Sequence, residues 1–257
     1  MLKAKDFRAM AREALKGKWG IAVIAGLLAS MLGGVSEGFS FNFETTGDTG
    51  SSEDLEVLLG QLLPQGGLSD EMIQTLLTVG GIVLVVSLVV AALFLVLGSV
   101  VGVGYSQFNL DLVDHQPEAD VGTLFRYFKN WKKLTVANLL RGLYVFLWSL
   151  LLVIPGIYAS YSYAMVNFIL AENPELTARE ALARSKEMMD GNRWRLFCLQ
   201  ISFIGWAYLC ILTLGIGYLW LTPYMQASVA AFYREISGTA PAPAVEVLEE
   251  PVIEDVL

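Results

Sequence analysis

Lysine and arginine are missing from Trp19 to Phe125, a run of 107 residues in a chain of 257. Charge is scarce overall. Charged residues make up 16% and hydrophobic residues 55%, against about 25% and about 45–50% in an ordinary soluble domain. That balance excludes a disordered chain and argues against a water-soluble globule. With a net charge of −8 and a pI near 4.7, the chain lacks the basic footprint that grips nucleic-acid phosphates. One histidine and two cysteines leave no Cys/His metal cluster and no disulfide framework. No His-Glu-x-x-His motif occurs, and no Asp or Glu falls inside the apolar spans placed below. An intramembrane aspartyl dyad is thereby excluded, and the expectation is of a protein that is not an enzyme and needs no cofactor.

What is present is a series of long apolar runs separated by clusters of bases. Six bases lie in Lys3–Lys18, four in Arg126–Lys133, then Arg141, five in Arg179–Arg195, and finally Arg234. Loops rich in Lys and Arg stay on the cytoplasmic side. Each interval between clusters therefore crosses the membrane an even number of times. A crossing helix needs about 20 apolar residues for a core of about 30 Å. The expected fold is all-α: a polytopic helical membrane bundle of six transmembrane spans with cytoplasmic amphipathic helices. The spans fall at about 19–35, 76–104, 135–153, 157–171, 196–213 and 218–234, within a membrane domain of residues 19–236. Residues 1–18 form a basic amphipathic helix, 36–75 an acidic outer loop, and 237–257 a disordered acidic cytoplasmic tail. Pro155 and Gly156 make the turn between spans three and four, because Pro ends a helix and Gly permits the bend. Thr213–Gly217 makes the next hairpin turn. The first apolar run reads as a retained span rather than a signal peptide, since the basic stretch before it is long and no clean Ala-x-Ala site follows. The eight acids of the outer loop lack the Asp-x-Asp-x-Asp-Gly spacing of a calcium loop and read as solvated.

Two basic stretches have helical amphipathicity. Lys3–Lys16 sets Phe7, Met10, Ala11 and Ala14 against Lys5, Arg8, Arg12 and Lys16. In the second, Thr177-x-x-Glu180 is a capping box, Gly191 a stop, and Ala181, Leu182, Ser185, Met188 and Met189 one face. Such helices either rest on anionic headgroups or pack beneath the bundle, and the sequence leaves both open. The partners expected are the lipid bilayer, anionic lipids at its inner surface, and a protein partner, with no nucleic acid. Basic clusters with a Trp introduce three apolar stretches, at Gly17–Val23, Lys129–Val136 and Gly191–Phe197. They read either as a threefold repeat or as what any inner interface collects.

The candidate structural or polar-path residues follow from cost. Gly98 and Gly102 form a GxxxG, and Ala22, Gly26, Ser30 and Gly34 a small-residue row; both let helix backbones approach closely. Asn167 and Pro223 are polar or helix-breaking within apolar spans, where they line a path, bond between helices or kink one. Arg141 lies eight residues past Lys133, roughly 12 Å along a helix. It is expected to anchor the inner interface, by snorkelling to the headgroups or by meeting Asp111 or Glu172.

The strings LWSLLLVIPGIYASYSYAM, LAENPELTAREALARSKEMMDG, RLFCLQISFIGW, LTLGIGYLWLTPY and AFY fall between Phe125 and Tyr233. This stretch resembles the bacterial membrane-protein family known as domain of unknown function 975. Lys3–Trp19 resembles that family's N-terminal helix more loosely, and Asp190 stands where the family pattern leads one to expect a base. The resemblance implies an integral membrane protein of a bacterial cytoplasmic membrane, and the distribution of Lys and Arg gives the multi-pass topology with both termini inside. It brings no known activity and no catalytic residues. The function expected is a non-catalytic scaffold, assembly or sensor protein; the alternative is a transporter or channel for a small solute or lipid.

Overall fold

A computed structural model describes residues 2–34, 70–116, 119–213 and 215–238. Most of the acidic outer loop and nearly all of the tail lie outside these residues. Every regular element described is helical. The α-helices are α1 (Ala4–Ala14), α2 (Trp19–Met31), α3 (Asp70–Val113), α4 (Trp131–Leu151), α5 (Val153–Ser162), α6 (Val166–Glu172), α7 (Ala178–Met188), α8 (Arg193–Ile201), α9 (Ile204–Leu212) and α10 (Tyr218–Ser237). Two short 3₁₀ turns, Val121–Phe125 and Phe128–Asn130, precede α4. The chain divides into two compact units, Met1–Ser36 with Val96–Leu257, and Glu37–Leu95.

Three helical stretches are long and apolar enough to cross a membrane: Leu77–Val113, Val121–Leu151 and Arg193–Leu212. The pair α1 and α2 would make a fourth if counted together, but the two are bent by 107°. The 13 residues of α2 reach only about 20 Å. Side-chain size in α2 is sorted in the opposite sense to a soluble helix. Ala22, Ala25, Gly26 and Ala29 are buried, while Ile21, Ile24, Leu27 and Met31 are exposed. The exposed faces of α4 and α9 likewise carry Leu139, Leu143, Phe146, Leu147, Leu209 and Leu212. A row of large apolar side chains facing outward is costly in water and neutral in lipid.

Both amphipathic stretches form helices, and their apolar faces are covered by other helices of the same unit. Phe7, Ala11 and Ala14 of α1 are buried, and Phe7 meets Phe232 of α10 edge to face at 5.4 Å. In α7, Ala181, Leu182 and Ser185 are buried. The Thr177–Glu180 capping box closes as its sequence spacing requires, with Thr177 N–H donating to Glu180 Oε2 at 2.8 Å. Gly191 then takes a positive φ of 73° beyond α7. Ser185 also stabilises a break elsewhere. Where α5 gives way to α6, the Ser185 hydroxyl donates to Ser162 O at 3.0 Å and accepts from Met165 N at 3.3 Å. Two backbone groups released by the break thus regain partners from one side chain.

Other boundaries differ in detail from those expected. The chain bends at Leu152, which is extended (φ −162°, ψ 146°), while Pro155 and Gly156 lie in the first turn of α5. Pro is tolerated there because first-turn N–H groups have no helical acceptor. A Cβ at Gly156 would collide with Ser149 of α4, so this glycine is what permits the tight return. The stretch 196–213 is interrupted between α8 and α9, where the Ser202 hydroxyl bonds Leu199 O at 2.6 Å. By contrast α10 runs unbroken through Pro223. The turn before α10 falls within Thr213–Gly217, with Gly215 at φ +85°.

Candidate functional site

The last turns of α10 carry Tyr233, Arg234 and Glu235. The helix stops at Gly238, whose φ of +75° is left-handed. A base in a helix's last turn is favoured by the partial negative charge of that end, but Arg234 does more than that. Its side chain is only 9% exposed. Nε donates to Asp114 Oδ1 at 2.9 Å and Nη2 to Asp114 Oδ2, a two-pronged bond with one carboxylate. Nη1 donates to Glu172 Oε1, and the Tyr233 hydroxyl donates to Glu172 Oε2. Asp114 follows the end of α3, where His115 turns the chain at φ +55°. Glu172 is the last residue of α6. One guanidinium therefore ties together the ends of three helices. The carboxylate side chains stay about a quarter exposed, 24% for Asp114 and 25% for Glu172. Water still reaches the anions, while the cation is covered.

Two further knots lie on the same elements. Arg195 of α8 pairs with Glu235 and donates to Leu2 O at 3.2 Å, and Leu2 N donates to Glu235 Oε1 at 3.1 Å. The chain before α1 is thus bound to α8 and α10. Gln107 Nε2 donates to Asp111 Oδ1 at 2.7 Å, and the Tyr127 hydroxyl donates to Ala171 O at 2.8 Å. Arg193 joins α8 to α5, with Nε bonding Ser162 Oγ at 2.9 Å and its guanidinium 4.3 Å from the Tyr158 ring centroid. Among the described residues, no three His, Cys, Asp or Glu side chains are grouped as metal ligands would be.

The candidates named from the sequence do not all converge. Gly98, Gly102 and Asn167 do come together. A Cβ at Gly98 would lie 2.7 Å from Gly33 O, and one at Gly102 would lie 2.8 Å from Gly34 O and 3.6 Å from Asn167 Nδ2. Asn167 is buried, and its Oδ1 has no hydrogen-bond partner. Pro223 sits against α2, its Cδ 3.6 Å from where a Gly26 Cβ would be. Pro155 and Gly156 are apart from these, at the α4–α5 return. Arg141 is half-buried in α4. Asp111 and Glu172, the partners named for it as the alternative to snorkelling, bond Gln107 and Arg234 with Tyr233 respectively. Arg234 and Asp114 were not legible as a pair. The available signal was that Arg234 is the only base after Arg195, with Glu172 standing in the AENP string.

Helical elements with outward-facing apolar surfaces and buried ionic ties define the class: an all-helical protein with several helices suited to a membrane. Residues 149–240 match the model of the family described as Protein of unknown function (DUF975). The matched region contains Glu172, Tyr233 and Arg234, and Asp114 lies outside it. No curated protein and no solved structure matches the chain.

Proposed function

We propose that this chain is a non-catalytic, multi-pass protein of a bacterial cytoplasmic membrane, acting as a scaffold, assembly or sensor component. On this reading it has six spans, both termini are cytoplasmic, and the Arg234 end of the helices faces the cytoplasm. The distribution of Lys and Arg supports that orientation.

The observation that carries the reading is the use made of the ionisable side chains. Arg234 is paired with both Asp114 and Glu172, and Arg195 with Glu235, and each set joins elements distant in sequence. A catalytic acid, base or nucleophile must instead be left available to a substrate. Ties of this kind favour a held platform over a reactive centre. One observation favours transport. Tyr105 Oη, Asn109 Oδ1 and Asn167 Oδ1 are buried without hydrogen-bond partners. Groups in that condition cost free energy unless a polar solute or water meets them.

Co-purification of the full chain in mild detergent, with mass spectrometry of bound proteins and small molecules, separates the readings. A stoichiometric protein partner is the result expected. A bound small solute with no protein partner would overturn the scaffold reading in favour of transport.

A further inference from the structure

The apolar faces of α1 and α7, the two helices that could have rested on a membrane surface, are occupied by neighbouring helices. The segment Val121–Lys133 behaves differently. Asp120 starts it, accepting from Val121 N at 2.8 Å and Gly122 N at 3.3 Å. Thr123 and Leu124 are buried, and the Leu124 backbone lies so close to Gly104 of α3 that a Cβ there would collide. With one side anchored, the segment turns its aromatics outward. Phe125, Phe128 and Trp131 are 43%, 40% and 41% exposed, and Phe125 stacks on Phe128 with centroids 6.0 Å apart. Interleaved with them are Arg126, Lys129, Lys132 and Lys133, all exposed.

Not all four bases are equally free to act outward. Lys133 reaches Glu175 O at 3.5 Å. Lys132 lies 5.7 Å from the centroid of the Trp131 ring. Of the lysines, Lys129 and Lys132 are the least committed. No Asp or Glu occurs from Val121 to Ala171, so nothing along this stretch of chain offsets them. Exposed aromatics and lysines together, at the start of an apolar helix, match the chemistry of an anionic lipid–water interface. Rings sit at headgroup depth, and ammonium groups meet lipid phosphates.

We infer that Phe125–Lys133 is an anionic-lipid docking surface, with Lys129 and Lys132 supplying the headgroup contact and Phe125, Phe128 and Trp131 the interfacial anchor. The inference rests on the reading of the helices as membrane spans. It moves the lipid contact from the amphipathic helices to a segment that is not amphipathic by helical spacing.

The test uses the full chain in phosphatidylcholine bilayers with spin-labelled phosphatidylglycerol or spin-labelled phosphatidylcholine as probe. Electron paramagnetic resonance reads how much of each probe is immobilised by the protein. Wild type should immobilise phosphatidylglycerol preferentially, and high salt should remove the preference. Lys129→Gln with Lys132→Gln should lower the preference by up to about fivefold per charge removed. Lys5→Gln with Lys16→Gln, an equal charge change at exposed positions in and just after α1, should leave it unchanged. Preference retained in the first variant, or lost equally in the second, overturns the inference. So does a co-purifying protein lost from the first variant while lipid preference persists, which would assign the surface to a protein. Lipid immobilised without any headgroup preference sinks the lipid inference alone. No immobilised lipid at all sinks the membrane reading with it.

Discussion

Replacing Arg234 with Met would leave Asp114 and Glu172 without the cation they share. Removing one partner of a buried ion pair costs about 3–5 kcal/mol. The partial exposure of both carboxylates puts the expected loss near the lower end, about 3 kcal/mol. Arg234→Lys keeps the charge but cannot fork across two carboxylates, and a loss of about 1.5 kcal/mol is expected, of the order of one charged hydrogen bond. Thermal unfolding in detergent measures both; an unaltered melting temperature in Arg234→Met would show that the tie carries no stability. Space rather than charge decides at the glycines. Gly98→Leu would drive a side chain into the Gly33 carbonyl, which a Cβ alone would approach to 2.7 Å, so folded yield should fall sharply. Gly142→Ala is the informative control. Nothing lies within 4 Å of its Cβ position, and a mid-helix Ala should be neutral or stabilise by about 0.5–1 kcal/mol. Equal yields from Gly98→Leu and Gly142→Ala would mean that the close crossing is not formed.

Among elements, α7 is the one whose ends and buried face all follow from local sequence. Bonds from Thr177 N–H and Thr177 Oγ1 hold the Glu180 carboxyl below its ordinary value of 4.5. A carboxyl whose folded value is depressed stabilises the fold fully above its unfolded value. That contribution fades as pH falls through the depressed one. Below pH 4.5 the stability of wild type should therefore decline with falling pH slightly more steeply than that of Glu180→Gln. Identical acid limbs in the two proteins would show that the box does not persist in solution. A second consequence of α7 lies outside the helix itself. Its Ser185 supplies both partners for the break between α5 and α6, so packing of α7 and the interruption of that apolar stretch are one structural event.

For the molecule as a whole, the basic clusters make an orientation testable. In a background with Cys198→Ser and Cys210→Ser, a cysteine replacing Thr49 should react with an impermeant maleimide in intact cells. A cysteine replacing Glu187, exposed on α7, should react only after the membrane is opened. Labelling at position 187 from outside would reverse the assignment of the Arg234 end to the cytoplasm.

Much of this protein follows from composition and periodicity. A scarcity of charge over long runs leaves helices as the economical way to satisfy the backbone in an apolar setting. The 3.6-residue period then decides which side chains share a face, so Phe7, Ala11 and Ala14, or Ala181, Leu182 and Ser185, could be read together before any packing was known. Small residues spaced four apart announced the close approach at Gly98 and Gly102, although not that Gly33 and Gly34 would supply the opposing carbonyls. Pairing across helices obeys no such local rule. Arg234 is separated by 120 residues from Asp114 and by 62 from Glu172, and several carboxylates had equal claim to each base. Only the way the helix ends pack brought Glu172 and Asp114 together on Arg234. Packing alone also closed the faces of α1 and α7 and left Phe125, Phe128 and Trp131 turned outward, because exposure depends on what neighbours cover, and neighbours are a property of the tertiary structure.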